Sequence, residues 1–280
     1  MTAPSLGFGI GWRASIAGLI EGIDDLGFVE VVAEALAAAG PIPGSLARLN
    51  ARGVRVIPHG LRLSLGGADR PDPKRIAHLA GVAARLDAPV VSEHLAFVRA
   101  RGAEAGHLMP VPRTWEAVKI VAENVRLTQQ LLPVPLALEH IAALVEWPEA
   151  ELNEAAFLTE ILDRTGVLLL LDVANLYANA RNHRYDPLDF LDRVPLDRIA
   201  YVHVAGGHER DGVYHDTHAH PVPRGVLELL EELYARTSPP GVLLERDDDF
   251  PPDGQIVSEL QQIRAAAGTG TRQRNTAHDG

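Results

Sequence analysis

Four histidines, four carboxylates and one asparagine in this chain share a placement that suits metal or acid/base chemistry: most of them end a short apolar run. Val167 to Asn175 reads V-L-L-L-L-D-V-A-N, five apolar residues and then Asp172, with Asn175 three positions further on. An unbroken apolar run closed by a carboxylate is the pattern of a strand buried on both faces that delivers a polar group at its C-terminal end. The same design recurs from Arg55 to His59, Val90 to His94, Pro135 to Glu139, Ile199 to His203 and Val242 to Glu245. Asp216-x-His218 adds two further ligand types at alternate positions, which an extended segment sends to one side. The nine donors (four imidazoles, four carboxylates and the Asn175 amide) exceed what one metal can use, so the sequence points to two or three metals bridged by carboxylates.

Taken singly, a strand-end His or Glu is more often hydrogen-bonded or solvated than bound to metal. Several converging at once are harder to explain without a metal, because unpaired buried carboxylates cost several kcal/mol in desolvation (roughly, per ion). There is no cysteine, which excludes disulfides, thiolate sites and a Cys nucleophile and leaves only N and O ligands. Asp247, two positions past Glu245, has the place of a proton acceptor beside the ligands, or of a surface charge. His183, His208, His215 and His220 are loop alternates, His78 falls in a helical pattern, and His107 lies in a loop.

A single arrangement brings those strand ends together. Strand patterns at Gly7–Trp12, Phe28–Glu34, Val54–Gly60, Pro89–Phe97, Pro135–Glu139, Val167–Asp172, Ile199–Ala205 and Gly241–Asp247 alternate with helical segments, without a composition break. The expected fold is therefore α/β, one (β/α)8 TIM barrel over residues 1–266, in which strand C-termini form one face. Alternation lets only one of Glu93 and His94 face the interior, and His94 is the choice. Arg99 to Pro112 reads as a lid or binding loop, and Asp172 is expected to lead into a polar loop holding Tyr177, Asn179, Asn182 and His183. The last helix is expected over Ile256–Ala266, with 267–280 a disordered tail that includes His278. Gly7, Gly9 and Gly11 echo a dinucleotide loop but lie inside the first strand, so a doubly wound fold is disfavoured.

The 280 residues are 46% hydrophobic, enough for a large core, and 26 basic against 37 acidic residues leave a formal charge of −11. That balance disfavours nucleic acid as a partner. Met1 to Ser15 has no secretory pattern and no apolar run approaches the ~20 residues of a membrane span, so the expectation is a cytoplasmic protein with no membrane contact.

Several motifs carry a resemblance: H-G-L-R-L-S-L-G at His59–Gly66, S-E-H-L-A-F at Ser92–Phe97, H-L-M-P-V-P at His107–Pro112, L-L-L-D-V-A-N-L-Y ending at Tyr177, H-V-A-G at His203–Gly206 and D-T-H at Asp216–His218. In this order, across nearly the whole chain, they resemble the DUF692 family of multinuclear non-heme iron-dependent oxidases, which includes the methanobactin biosynthesis enzyme. The resemblance implies a TIM barrel with two or three irons that oxidises cysteine or related residues of ribosomally made precursor peptides with O2. It also implies a partner protein that binds the peptide leader. The matching ligand positions are His59, His94, Glu139, Asp172, Asn175, His203, Asp216, His218 and Glu245, and Asp247 matches an acidic position near the substrate. The chain departs from the family where L-E-N is Leu138-Glu139-His140, where E-N-Y is Glu34-Ala35-Leu36, and where Arg246 replaces a tryptophan. His140 is accordingly expected behind the ligands or facing substrate. Other readings are a metal-dependent sugar isomerase or epimerase, an endonuclease-IV-like barrel, or a non-catalytic metal-binding accessory protein.

Overall fold

The structure is a computed structural model and describes residues 5–278. Eight parallel strands close a barrel in sequence order: β1 Gly7–Gly11, β2 Phe28–Val32, β3 Arg55–Gly60, β4 Val91–His94, β5 Leu136–Glu139, β6 Leu168–Asp172, β7 Ile199–Val204 and β8 Gly241–Leu244, with β8 pairing back to β1. Helices cover the outside: α1 Ala17–Glu21, α2 Gly44–Ala51, α3 Pro73–Leu86, α4 Trp115–Gln129, α5 Glu154–Thr165, α6 Val173–His183, α7 Pro187–Leu191, α8 Arg224–Arg236 and α9 Asp253–His278. The helix starts follow from capping. Asp72, Thr114, Asn153 and Asp186 each accept a first-turn backbone N–H at α3, α4, α5 and α7.

Side chains inside the barrel obey one parity. Phe28, Ile57, Val90, Ala137, Leu170, Tyr201 and Leu243 fill the lower interior. Moving two residues up each strand gives Glu30, His59, Ser92, Glu139, Asp172, His203 and Glu245, all buried. The two-residue pleat therefore puts a dry apolar plug beneath a polar layer. The β1 glycines belong to this packing. A Cβ on Gly9 would lie 2.7 Å from the Phe28 ring, so the position must be bare for Phe28 to cross the barrel and meet Tyr201 edge-to-face at 5.7 Å.

Three sequence expectations change. The polar segment after Asp172 is helix α6, because Asp172 Oδ1 accepts from the backbone N–H of Ala174 (2.6 Å) and Asn175 (2.9 Å) and the strand turns directly into the helix. Arg99–Pro112 is largely a β-hairpin of Ala96–Ala100 against Ala103–Pro110, and His107 lies in its second strand. The expected tail from residue 267 is the continuation of α9 as far as His278, with 279–280 outside the described residues. Glycine is a poor helix former, and both Gly268 and Gly270 fall in this stretch. Gly270 nonetheless lies flush on α8, where a Cβ would come within 2.1 Å of the Glu231 carbonyl, and Ala266 and Ala267 are buried beside it.

Candidate metal centre

The strand ends deliver the donors as the parity requires, and a second hairpin, Gly207–Arg210 against Val213–Asp216, swings Asp216 and His218 over the mouth. Donor atoms mutually within 4.8 Å form linked groups: His59, His94 and Glu139; Glu139, Asp172, His203 and Glu245; Asp172, Asp216 and His218; and His218, Glu245 and Asp247. Glu139 belongs to two groups through different oxygens. Its Oε2 lies 3.5 Å from His59 Nε2 and 3.4 Å from His94 Nε2, while Oε1 lies 3.4 Å from His203 Nδ1. Asp172 joins the second group to the third, since its Oδ1 caps α6 and its Oδ2 faces His203 Nδ1 at 4.0 Å.

Whether these residues suit metal ions is tested by their unsatisfied atoms. Glu139 Oε2, Asp172 Oδ2, His203 Nδ1, Asp216 Oδ1 and Glu245 Oε2 are all buried and without a hydrogen-bond partner. His203 Nδ1 lies only 3.0 Å from Glu245 Oε2, yet the angle is not that of a hydrogen bond. Buried polar atoms left unpaired cost free energy. Donors that face a shared centre rather than one another are arranged for cations, and an all-N/O set suits a hard or borderline ion.

Charge is balanced within the cluster. Burial would raise the Glu139 carboxyl, but His94 and His203 outweigh it and hold it at about 2. Burial would likewise lower His94, yet Glu139, Glu93 and Glu245 lift it to about 9. Asp172 is pushed up to about 7 by burial and by the charges of Asp216 and Glu139. Without metal, His94 therefore holds a proton below about 9 and Asp172 below about 7, and a cation must displace both. Metal affinity is expected to fall as pH drops through these values, and since neighbouring carboxylates also hold His203 and His218 well above the ordinary imidazole range, proton release should be measurable by calorimetry in buffers of differing ionisation enthalpy. Uptake independent of pH over this interval would contradict the assignment.

The remaining expected positions separate clearly. Asn175 sits on the first turn of α6, with Nδ2 donating to the His140 carbonyl (2.9 Å) and lying 3.4 Å from Glu139 Oε1, at the edge of the cluster. Asp247 is at the rim with its side chain 42% exposed; it pairs with Arg13 and lies 3.2 Å from His218 Nδ1. Glu93 turns away from the interior, accepting from the backbone N–H of Leu63 and His94, so His94 faces inward as expected. Of the histidines expected in loops, His183 ends α6 and bonds the Ala143 carbonyl, while His208, in the second hairpin, packs against His215 and His220 and joins none of the donor groups.

His140 lies behind the centre, with Nδ1 2.9 Å from Glu154 Oε1, Nε2 3.0 Å from the Asp172 carbonyl and its ring stacked on Phe190. Both nitrogens are thus occupied away from the donors. His140→Asn is expected to leave the metal-to-protein ratio unchanged by elemental analysis, and loss of a metal equivalent would mean that His140 is a ligand.

Sequence reading missed Arg13, Glu30, Ser92 and Tyr201. Each has the interior parity, two residues from Gly11, Phe28, His94 and His203 respectively, so extending the strand-end rule one step up or down would have found them.

Fold and site together define a closed parallel (β/α)8 barrel with a many-donor candidate metal centre at the C-terminal mouth of its strands. The chain belongs to the RiPP precursor modification enzyme MbnB/TglH/ChrH family, whose pattern it matches over residues 7–268. A UPF0276 protein of Streptomyces avermitilis is 56% identical over 270 residues; the match covers 94% of this chain but only 55% of that longer protein. A UPF0276 protein of Caulobacter vibrioides is 37% identical over 245 residues, 88% of each chain. Among solved structures, 3-keto-D-glucoside 4-epimerase from E. coli superposes with a TM-score of 0.58 at 14% identity, covering 93% of this chain and 99% of that one. A xylose isomerase domain protein from Planctomyces limnophilus gives 0.55 at 14% identity with full coverage of both chains (100%). At such identities the likeness is one of fold alone. No helix among the described residues is long and apolar enough to cross a membrane.

Proposed function

We propose that the protein is a multinuclear non-heme iron-dependent oxidase or oxygenase that uses O2 to modify a residue, cysteine in the first instance, of a ribosomally synthesised precursor peptide. A partner protein would hold the peptide leader. The observation that carries this reading is the sharing of carboxylates: Glu139, Asp172 and Glu245 each belong to two donor groups, as bridges between adjacent cations would. Membership of a family of peptide-modifying enzymes supplies the substrate class.

In this reading His59, His94 and Glu139 hold one ion, Glu139, Asp172, His203 and Glu245 a second, and Asp172, Asp216 and His218 a third, with Asn175 as an amide ligand at the edge. Iron in such a site supplies O2 binding and one-electron chemistry. The chain's own groups do the rest. Apolar residues beneath the polar layer keep water out from below. Asp247, exposed at the rim, accepts the proton that the substrate gives up on binding, and Arg13 holds the carboxylate in place. With no cysteine in the chain, no internal thiol competes with the peptide.

The test is O2 consumption by the iron-loaded protein together with a mass change in a precursor peptide encoded beside its gene. Both are expected. Isomerisation of a sugar without any need for O2 would favour the epimerase reading that the barrel fold also allows, and iron-loaded protein inert toward both substrates would favour an accessory role.

A further inference from the structure

Within the polar layer and reaching down to Tyr201 below it, five side chains from four strands make one continuous buried chain of hydrogen bonds. His59 Nδ1 lies 2.7 Å from Ser92 Oγ, Ser92 Oγ 2.6 Å from the Tyr201 hydroxyl, the Tyr201 hydroxyl 2.6 Å from Glu30 Oε2, and Glu30 Oε2 2.9 Å from His203 Nε2. All five residues are at most 2% exposed, so water cannot substitute for any member.

Proton positions along this chain follow from the inventory of donors. One carboxylate oxygen, Glu30 Oε2, faces both the Tyr201 hydroxyl and His203 Nε2, and as the shared acceptor it takes both Tyr201 O–H and His203 Nε2–H. Tyr201 has then spent its one proton and can only accept from Ser92. Ser92 has spent its own in turn, and so must accept from His59 Nδ1–H. One carboxylate thereby fixes the tautomers of two imidazoles, leaving the lone pairs on His203 Nδ1 and His59 Nε2. Those are the two nitrogens that face the donor cluster: His203 Nδ1 is the buried atom without a hydrogen-bond partner, and His59 Nε2 is 3.5 Å from Glu139 Oε2. The hydrogen bonds that start at Glu30 involve no metal, yet they leave the lone pairs on the atoms that a metal would need.

We propose that Glu30, Tyr201 and Ser92 are positioning residues that set the tautomers of His59 and His203 and so couple two metal subsites through one hydrogen-bonded chain. The proposal rests on the metal reading and adds to it which nitrogen each histidine uses and what holds it there. A carboxylate on the far nitrogen of a ligating histidine raises its donor strength, and losing such a partner costs roughly 10–100-fold in metal affinity. Because the chain is continuous, the effect is not confined to one subsite. Tyr201→Phe keeps the ring that packs on Phe28 and removes only the hydroxyl, which frees Ser92 to donate toward His59 and lets its Nδ1 lose the proton.

Zinc provides a diamagnetic probe. In the zinc-loaded full-length protein with 15N-labelled histidine, His59 is expected to bind through Nε2 with Nδ1 protonated, and His203 through Nδ1 with Nε2 protonated. Tyr201→Phe and Glu30→Gln are each expected to weaken zinc binding roughly 10–100-fold, with Tyr201→Phe also changing the His59 nitrogen shifts. A Tyr201→Phe protein with both affinity and nitrogen shifts as in the wild type would overturn the proposal, as would His203 bound through Nε2. Should Glu30→Gln fail to fold, Ser92→Ala in the same spectra provides the second test, with altered His59 shifts and unaltered His203 coordination expected. Wild-type protein that takes up no zinc would overturn the metal reading itself, a result distinct from zinc bound through the wrong nitrogens.

Discussion

Glu139→Ala is expected to strip metal from two subsites at once. The Glu139 carboxylate offers one oxygen to His59 and His94 and the other to the His203 side. Neither neighbouring carboxylate reaches the His59 and His94 side, because Asp172 is held by its Oδ1 cap on α6 with Oδ2 toward His203, and Glu245 is turned to His203 and His218. The loss of affinity should exceed the roughly 10–100-fold that follows from removing even an outer partner of a ligand, with metal content by elemental analysis well below the wild-type value. His218→Ala makes the comparison, since it touches the third group and the rim while leaving the first group intact. Equal metal content in Glu139→Ala and wild type would mean that Glu139 bridges nothing. Circular dichroism of both variants checks that the barrel is still formed.

Asp247→Asn is expected to separate chemistry from metal binding. The side chain is 42% exposed and lies on the solvent side of His218 and Glu245, where a substrate group entering the mouth would meet it first. An amide keeps the shape and the hydrogen bond from Arg13 but cannot take up a proton. General-base assistance contributes about 10²–10⁴-fold, so turnover of the cognate peptide should fall by about 100-fold or more while metal content is unchanged. A variant with full turnover would leave Asp247 without a role as base. A variant that loses one metal ion with its activity would make Asp247 a ligand instead, consistent with its place in the outermost donor group.

How much of this was legible in the sequence depended on where each residue sits along its strand. His59, His94, Glu139, Asp172, His203 and Glu245 stood out because a polar residue closing an apolar run has no reason to be there unless the strand ends at a site. Glu30 was hidden by the same logic: it lies within Phe28–Val32, where alternation with valines reads as a solvated strand face, and only barrel closure shows that its face is interior. Helix α6 was missed because Asn179, Asn182 and His183 give it a polar look. Asn179 is in fact buried, donating to the Ile141 carbonyl and accepting from the Ala143 N–H, so its polarity serves the packing of the β5–α5 loop. The end of α9 was missed because glycine is a helix breaker by propensity, and the close approach to α8 that makes it useful at Gly270 is a tertiary fact.

The central claim is that the strand-end donors hold several cations together, and a direct count of metal per chain tests it most simply. Protein produced with iron available, purified without chelators and analysed for iron and for protein concentration, is expected to hold at least two ions per chain, with a Mössbauer spectrum showing more than one N/O-coordinated iron environment. A ratio of one or less in folded protein that stays at that level under anaerobic iron reconstitution would contradict the account.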